Sequence, residues 1–380
     1  LYQIPYVSET SFTLGTQRKF WIVVDDRGQR IIDKRDICIL TSAISLINRK
    51  KVPIDFSDTL MTKTFEEMEQ KLPEIREEIQ RFLFSKERKQ LESGIYPLIF
   101  APSAVGTLFH EALAGHMLSG TYIAGGNSTV FKGKIDTQIA TDGFMEALKD
   151  LEIWDCPRDE EMLASYRYDM EGSSSQDVLL IDRGKVLAYL HNKNSAARLG
   201  LPNNGHSLAG RFIDMVRLNN VDIPNAYCPE PRVSNLKVVG HDTVSLDEIK
   251  QTCFEQFGYY FWVESKSGAV LVDSGTFELQ IESLVKVYPD GSKEYFHGGK
   301  FSANLTDFLD AIQVVSDYYG RCQGFCGAES GWVPTEESAP AMGVYGVNWI
   351  PDDLPEPDIL VNLKRDKHPS EEQVEQGFEY

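Results

Sequence analysis

The sequence has no long apolar run and few cysteines. No apolar stretch approaches the roughly 18–20 residues that cross a bilayer, and the start, Leu1-Tyr2-Gln3, lacks the basic and apolar segments of a secretory signal. Six cysteines in 380 residues are too sparse for a disulfide scaffold and suit reduced thiols. These features predict a cytoplasmic protein with no membrane segment. The first residue is not methionine, and we expect native sequence to precede it.

Positive charge is also scarce. Lys and Arg number 38 against 57 Asp and Glu, which gives a formal net charge of -19. Binding to nucleic acid requires a basic surface that displaces counterions from the phosphates. The sequence therefore predicts no nucleic-acid partner. With 42% hydrophobic and 25% charged residues, the composition is that of a globular protein.

The first 93 residues combine a hairpin with a helical region. Phe20–Val24 and Ile31–Leu40 read as strands on either side of turn-forming residues 25–28. Thr64, with a Glu three residues later, is the pattern of a capping box and predicts a helix start. Pro73 predicts a kink or a second helix start.

After Gly94 the strand signals dominate. Ala104–Ala114 reads as a buried helix, and further helices are predicted over Leu246–Phe257, capped by Ser245, and over Leu305–Tyr319. Elsewhere strands alternate with Asp-Gly-type turns, which predicts antiparallel pairing. We predict an α+β fold: an N-terminal α/β region with long helices (1–93), a larger, mostly antiparallel β-rich domain carrying a metal-binding helix (94–362), and a charged tail (363–380).

The segment His110-Glu111-Ala112-Leu113-Ala114-Gly115-His116 carries the strongest chemical signal. Imidazole binds zinc well, and an adjacent carboxylate can take a proton from a zinc-activated water. The two histidines are six positions apart, however, which an ideal helix places on different faces about 9 Å apart along the axis. The helix must therefore end or distort between them, either at Gly115 in a left-handed conformation or through a π-bulge.

A third ligand must come from elsewhere in the chain. Cys322 and Cys326 are the best candidates by residue type, although a buried core thiol is the usual role of a free cysteine. The two histidines themselves could instead be ordinary buried side chains near a helix end.

These residues resemble the TldD/PmbA family of zinc peptidases. The resemblance covers roughly residues 19–347 and is carried by the order of several blocks: Gly94 to His116, Asn127 to Ile135, Glu171 to Gln176, Val178 to Gly200, Arg217 to Asn220, Ser274 to Phe277, and Cys326 to Glu329 with Val333-Pro334. It implies metal ligation by His110, His116 and Cys326, rather than Cys322, with Glu111 as the general base. The family's second histidine usually lies five positions after the first, so this chain has one extra residue.

The resemblance also implies a partner and a substrate. TldD-type proteins form dimers, often with a metal-less partner subunit, around a chamber for unfolded peptides. We therefore expect a homodimer or a heterodimer with a TldD/PmbA-type subunit, and a peptide substrate. Two histidines and one cysteine suit zinc and can also hold iron. His206, Arg217 and Asn220 are the candidate substrate-binding residues, although His206 could equally be a solvated loop histidine and the other two could support the fold.

The predicted activity is metal-dependent hydrolysis of peptide bonds in extended peptides, with Glu111 as the base for a metal-activated water. Two alternatives remain. One is an enzyme that uses the same metal site on a small thiol adduct or natural-product intermediate. The other is a catalytically silent partner subunit, in which the altered histidine spacing reflects a lost site.

Overall fold

The computed structural model describes residues 7–24, 28, 30–47, 53–84, 88–210, 228–265, 267–271 and 276–353. The N-terminal part is a three-stranded antiparallel sheet with one helix. Its elements are β1 (Val7–Val24), β2 (Arg30–Ile47), β3 (Pro53–Thr62) and α1 (Phe65–Phe84). Ile22 lies opposite Ile32, which confirms the predicted hairpin.

Helix α1 begins at the predicted cap. Thr64 Oγ1 accepts the main-chain N–H of Glu67 at 3.2 Å, and the Glu67 carboxylate accepts the N–H of Lys63 at 2.9 Å. The predicted second helix start at Pro73 is wrong, because α1 continues through it, and the alternative of a kink stays a prediction. Pro73 lies on the exposed side, where water can satisfy the carbonyl that the proline ring leaves without a donor.

The remaining strands build a second, larger assembly. They are β4 (Gly94–Ile95), β5 (Leu98–Phe100), β6 (Thr137–Gln138), β7 (Leu151–Asp155), β8 (Val178–Asp182), β9 (Lys185–Val186), β10 (Ser207–Leu208), β11 (Glu230–Pro231), β12 (Asn235–Gly240), β13 (Thr243–Val244), β14 (Tyr260–Val263), β15 (Ser267–Leu271), β16 (Thr276–Val287), β17 (Lys293–Asn304), β18 (Ile312–Ala328), β19 (Gly331–Val344) and β20 (Asn348–Pro351). Within the described residues, fifteen of them form one mostly antiparallel sheet, and β10 pairs with β11 separately. The α+β prediction is confirmed.

Short helices cover this sheet. They are α2 (Pro102–Phe109), a π-helical turn (His110–Ala114), α3 (Gly120–Gly125), a 3-10 turn (Glu146–Asp150), α4 (Lys193–Leu199), α5 (Leu246–Phe257) and α6 (Leu305–Ala311). Helix α5 has the predicted bounds, and the Ser245 side chain accepts the N–H of Glu248. None of the helices in the described ranges has both the length and the apolar character to cross a membrane.

The predicted helix Leu305–Tyr319 is correct at its start and wrong after Ala311. Helix α6 ends at Ala311, and β18 begins at Ile312. Ile312, Val314 and Val315 are β-branched and pack well on a pleated surface. Pairing with β19 over the length of β18 supplies main-chain hydrogen bonds to this segment, so tertiary context overrides the helical pattern.

The two sheets meet close to Cys326. Trp21 of β1 shares a buried cluster with Tyr166, Cys326 and Val333. Trp21 Nε1 also donates to the carbonyl of Tyr168 at 3.0 Å. The N-terminal sheet therefore packs against the strand pair β18–β19 through Trp21. The predicted boundary between 93 and 94 stays a prediction, and the predicted tail 363–380 lies outside the described residues.

Candidate metal and catalytic site

Helix α2 is positioned by close packing against β19. Pro102 starts it, where the absent N–H of proline costs nothing. Seven of its eight residues are buried. At Gly106, a Cβ atom would lie 2.7 Å from the Cβ of Glu337 on β19. Glycine at this position therefore lets the helix approach the strand and brings the helix C-terminal end over the sheet.

The helix widens into a π turn at the first histidine. The N–H of Gly115 donates to the carbonyl of His110 at 2.8 Å, and the N–H of Leu118 donates to Leu113 at 3.0 Å, each across five residues. Gly115 has φ −69° and ψ −30°, so the left-handed glycine alternative is wrong and the π-bulge is confirmed. A Cβ at Gly115 would lie 2.8 Å from the His110 carbonyl oxygen, which explains the glycine on steric grounds.

The His110 ring is buried between a carboxylate and a thiol. Its Nδ1 donates to Glu337 Oε1 at 2.9 Å, which leaves Nε2 on the side of the Cys326 thiol. Nε2 is buried and has no hydrogen-bond partner among the described residues apart from the neighbouring Cys326 thiol. Burial opposes the charged ring, but the Cys326 and Glu337 charges outweigh burial and raise the pKa of His110 well above its ordinary value.

Glu111 lies within the π turn, and His116 follows it. His116 Nδ1 donates to the main-chain oxygen of Glu111 at 3.2 Å, so Nε2 of this ring carries the lone pair. The Glu111 carboxylate lies 3.7 Å from the same Nδ1. Burial, together with the His110 charge, lowers the pKa of His116 to about 4, and burial raises the pKa of Glu111.

Cys326 lies near the end of β18, three residues before the hairpin turn into β19. It is 5% exposed. Burial raises the pKa of its thiol, but the charges of His110 and Arg232 outweigh burial, and the net pKa lies below the ordinary value. The structure therefore brings Cys326 and His110 into contact, although 216 positions separate them in the sequence.

An open cleft of about 370 Å³ lies beside the second histidine. His116 and Tyr122 form one wall, with their ring centroids 6.0 Å apart. The Tyr122 hydroxyl donates to the Glu329 carboxylate at 2.6 Å. The lining residues are His116, Tyr122, Asn127, Val270, Leu271, Gly327, Ala328 and Glu329.

His206, a predicted substrate contact, is completely buried. Its Nε2 lies 2.9 Å from Asp155 Oδ2, and Asp155 also accepts the N–H and hydroxyl of Ser234. The ring is therefore held inside the domain by a carboxylate rather than presented to the cleft. Arg217 and Asn220 lie outside the described residues.

Residues 93–335 match the family model described as PmbA/TldA metallopeptidase C-terminal domain. This match covers well over half of the chain. The chain belongs to the TldD/PmbA family. The resemblance read from the sequence is thereby confirmed.

The TldD/PmbA relatives include named metalloproteases. The chain is 26% identical over 255 residues to the zinc metalloprotease TldD homolog of Saccharolobus solfataricus, covering 67% of this chain and 51% of that protein. It is 25% identical over 252 residues to a metalloprotease of Methanothermobacter thermautotrophicus, covering 66% and 49%. The chain thus spans about half the length of the curated relatives it matches.

The fold is shared with a solved TldE. The crystal structure of TldE from Thermococcus kodakarensis superposes with a TM-score of 0.63 at 15% sequence identity, covering 90% of this chain and 68% of that one. At this identity the likeness concerns the fold alone.

The imidazole and thiol donors of His110, His116 and Cys326 are of the types that bind zinc, but they are not arranged to share one ion. In both imidazoles Nδ1 is bonded to a protein oxygen, so Nε2 is the nitrogen that would bind a metal in its deprotonated form, and one of the two Nε2 atoms is buried beside a thiol. Across the described ranges, however, no group of three or more His, Cys, Asp or Glu side chains is arranged to hold a metal ion. The three candidate ligands would have to move closer together to share one.

Two residues that the sequence analysis missed complete the site. Glu337 fixes the His110 ring, and Arg232 donates to the Cys326 carbonyl at 2.5 Å. A Glu pair at 336–337 in a buried strand with no other charged residue is unusual, and this signal could have identified Glu337. Arg232 follows the dipeptide Glu230–Pro231 in a segment without any pattern, so nothing in the sequence indicates it.

Proposed function

We propose that the chain is a metal-dependent peptidase subunit whose ion is held by His110, His116 and Cys326, with Glu111 as the general base. The observation that carries this proposal is the His110 ring, which has one nitrogen fixed by a carboxylate and the other buried beside a thiol. Histidines that bind metals commonly have a carboxylate on the second ring nitrogen, because it fixes the tautomer and orients the ring.

The π turn supports retention of the site despite the altered spacing. A π turn closes its hydrogen bonds over five residues instead of four, so it accommodates one extra residue in the helix. The extra residue between His110 and His116 is therefore taken up within His110–Ala114, and π turns occur frequently at functional sites.

The protein groups divide the chemistry as follows. A bound zinc ion would polarise a carbonyl and acidify a water molecule. Glu111, whose pKa is raised by burial, would take a proton from water and return it to the leaving amine. The Tyr122–His116 wall would contact the substrate, because it lines the cleft.

Peptides are the proposed substrate class because the similar proteins are named metalloproteases. A homodimer or a heterodimer with a TldE-type subunit is the proposed assembly, supported by the shared fold. Zinc is the proposed metal, and iron would suit the same ligands.

A second candidate function is a catalytically silent partner subunit. The observation that favours it is that His110, His116 and Cys326 do not converge as they stand. The extra residue in the histidine motif would then have uncoupled the two rings.

Metal content separates the two candidates. We expect about one ion per chain after zinc supplementation, as in other three-ligand catalytic sites, and its loss in His116→Ala and Cys326→Ala. Cys322→Ala is the matched control, because it removes another buried thiol from the same strand and should keep the ion. A metal-free wild type after supplementation would reject the peptidase proposal in favour of the silent subunit.

A further inference from the structure

Arg232 is buried against the hairpin tip that follows Cys326. Arg232 is 3% exposed. Nη2 donates to the Cys326 carbonyl at 2.5 Å, and Nη1 donates to the Gly331 carbonyl and to Ser330 Oγ, both at 2.8 Å. One guanidinium therefore bridges both strands of the hairpin.

The hairpin tip is short and closed by these contacts. Ala328 lies opposite Gly331, so only Glu329 and Ser330 form the turn. Gly331 has a φ of +86°, a conformation that favours glycine. Because Arg232 binds the main chain of Cys326 itself, its contacts fix the point from which the thiol extends toward His110.

The backbone of Arg232 is anchored in turn. Its N–H donates to the carbonyl of His206 at 3.0 Å, and the His206 ring is held by Asp155. His206, which was predicted to contact substrate, therefore holds the main chain of Arg232 in place.

The guanidinium forms no contact ion pair within the described part of the chain, although its charge acts on Cys326, Glu111 and Glu329. Among the described residues, no carboxylate lies within 4.0 Å of it. A buried charge without a contact ion pair is costly unless its hydrogen bonds are satisfied. Three acceptors of the hairpin tip supply those hydrogen bonds. Burial of the guanidinium therefore depends on the position of the tip.

We propose that Arg232 is a positioning residue that holds the hairpin tip so that the Cys326 thiol faces His110. The inference rests on the proposed function only for the role of that thiol as a metal ligand. The placement of the turn can be measured without any metal.

The experiment compares Arg232→Met, Arg232→Lys and Arg35→Met in the full chain. Arg35 is the matched control because it is also buried and donates to a main-chain carbonyl, that of Ala164 at 3.1 Å, and among the described residues it makes no hydrogen bond to the hairpin tip. The first readout is hydrogen exchange of the amides at 327–331 in metal-free protein. The second is the dissociation constant for Co²⁺, together with the thiolate-to-cobalt absorption.

We expect Arg232→Met to accelerate exchange at 327–331 by about tenfold or more, because the tip loses three hydrogen bonds. It should also weaken Co²⁺ binding by about 10–100-fold, the range for outer contacts that orient ligands. Arg232→Lys should recover part of both effects, and it serves as the test variant if Arg232→Met fails to fold. Arg35→Met should leave both readouts unchanged.

Unchanged exchange at 327–331 in both Arg232 variants would overturn the inference. Equal acceleration in Arg35→Met would do the same, because the effect would then be a general loss of stability. If the tip loosens only in the Arg232 variants while the wild type binds no Co²⁺, the positioning role holds and the proposed function fails.

Discussion

The Nδ1 atom of His110 lies 2.9 Å from Oε1 of Glu337, and both side chains are buried. The two residues are 227 positions apart in the sequence. This contact orients the ring and leaves Nε2, beside the Cys326 thiol, as the atom that would bind a metal.

Glu337→Gln should weaken metal binding because an amide places either a donor or a weaker acceptor against Nδ1. We expect the zinc dissociation constant to rise by about 10–100-fold, measured by chelator competition. Glu336→Gln is the matched control, since Glu336 is equally buried on the same strand but bonds to Leu163 and Gln323. Equal losses in both variants would contradict an orienting role for Glu337.

Gly106→Ala should separate helix α2 from β19. The new Cβ would lie 2.7 Å from the Glu337 Cβ, so the helix has to shift and the His110–Glu337 contact lengthens. We expect a loss of about 1–3 kcal/mol in the free energy of unfolding, with weaker zinc binding. At Gly324 the nearest atom to an added Cβ is 3.9 Å away, so Gly324→Ala should leave zinc binding unchanged. Wild-type stability in Gly106→Ala would show that the helix does not need this close approach.

Glu111→Gln should abolish hydrolysis while the metal stays bound. The amide cannot take a proton, so peptide cleavage should fall by at least about 10²-fold, whereas Glu111 is not among the proposed ligands. Elemental analysis and a panel of unfolded peptides, run beside small amides and thioethers, test both statements. Retained cleavage would remove Glu111 from the proposed role, and cleavage of the small compounds alone would redirect the substrate class.

His191 should make folding sensitive to acid. Burial, and then the charge of His206, lower its pKa to about 4. Between its unfolded pKa near 6.5 and pH 4, the unfolded chain binds a proton that the folded chain does not. The free energy of unfolding therefore decreases as the pH decreases. Between pH 6.5 and pH 5, His191 alone should lower it by about 2 kcal/mol. An NMR titration of the ring should show a midpoint near 4, and His191→Asn should flatten the pH dependence. A midpoint near 6.5 would contradict the prediction.

Local sequence determined much of the strand and helix content. The hairpin β1–β2 follows from two apolar runs around a turn, and α5 follows from a capping serine and an amphipathic run ending at Gly258. These elements depend on contacts between near neighbours, which sequence patterns record directly. At Ile312 the same reasoning failed, because pairing with β19 decided between two patterns that the residues allow.

The sequence by itself determined the donor types: two histidines and a glutamate in one segment, a distant cysteine, and a spacing that requires a distorted helix. Only the tertiary structure decided how that distortion occurs, as a π turn, and which partners surround the site. Glu337 and Arg232 reach it by strand pairing and close packing across long sequence separations. Such contacts depend on how whole elements pack, and no local pattern records them.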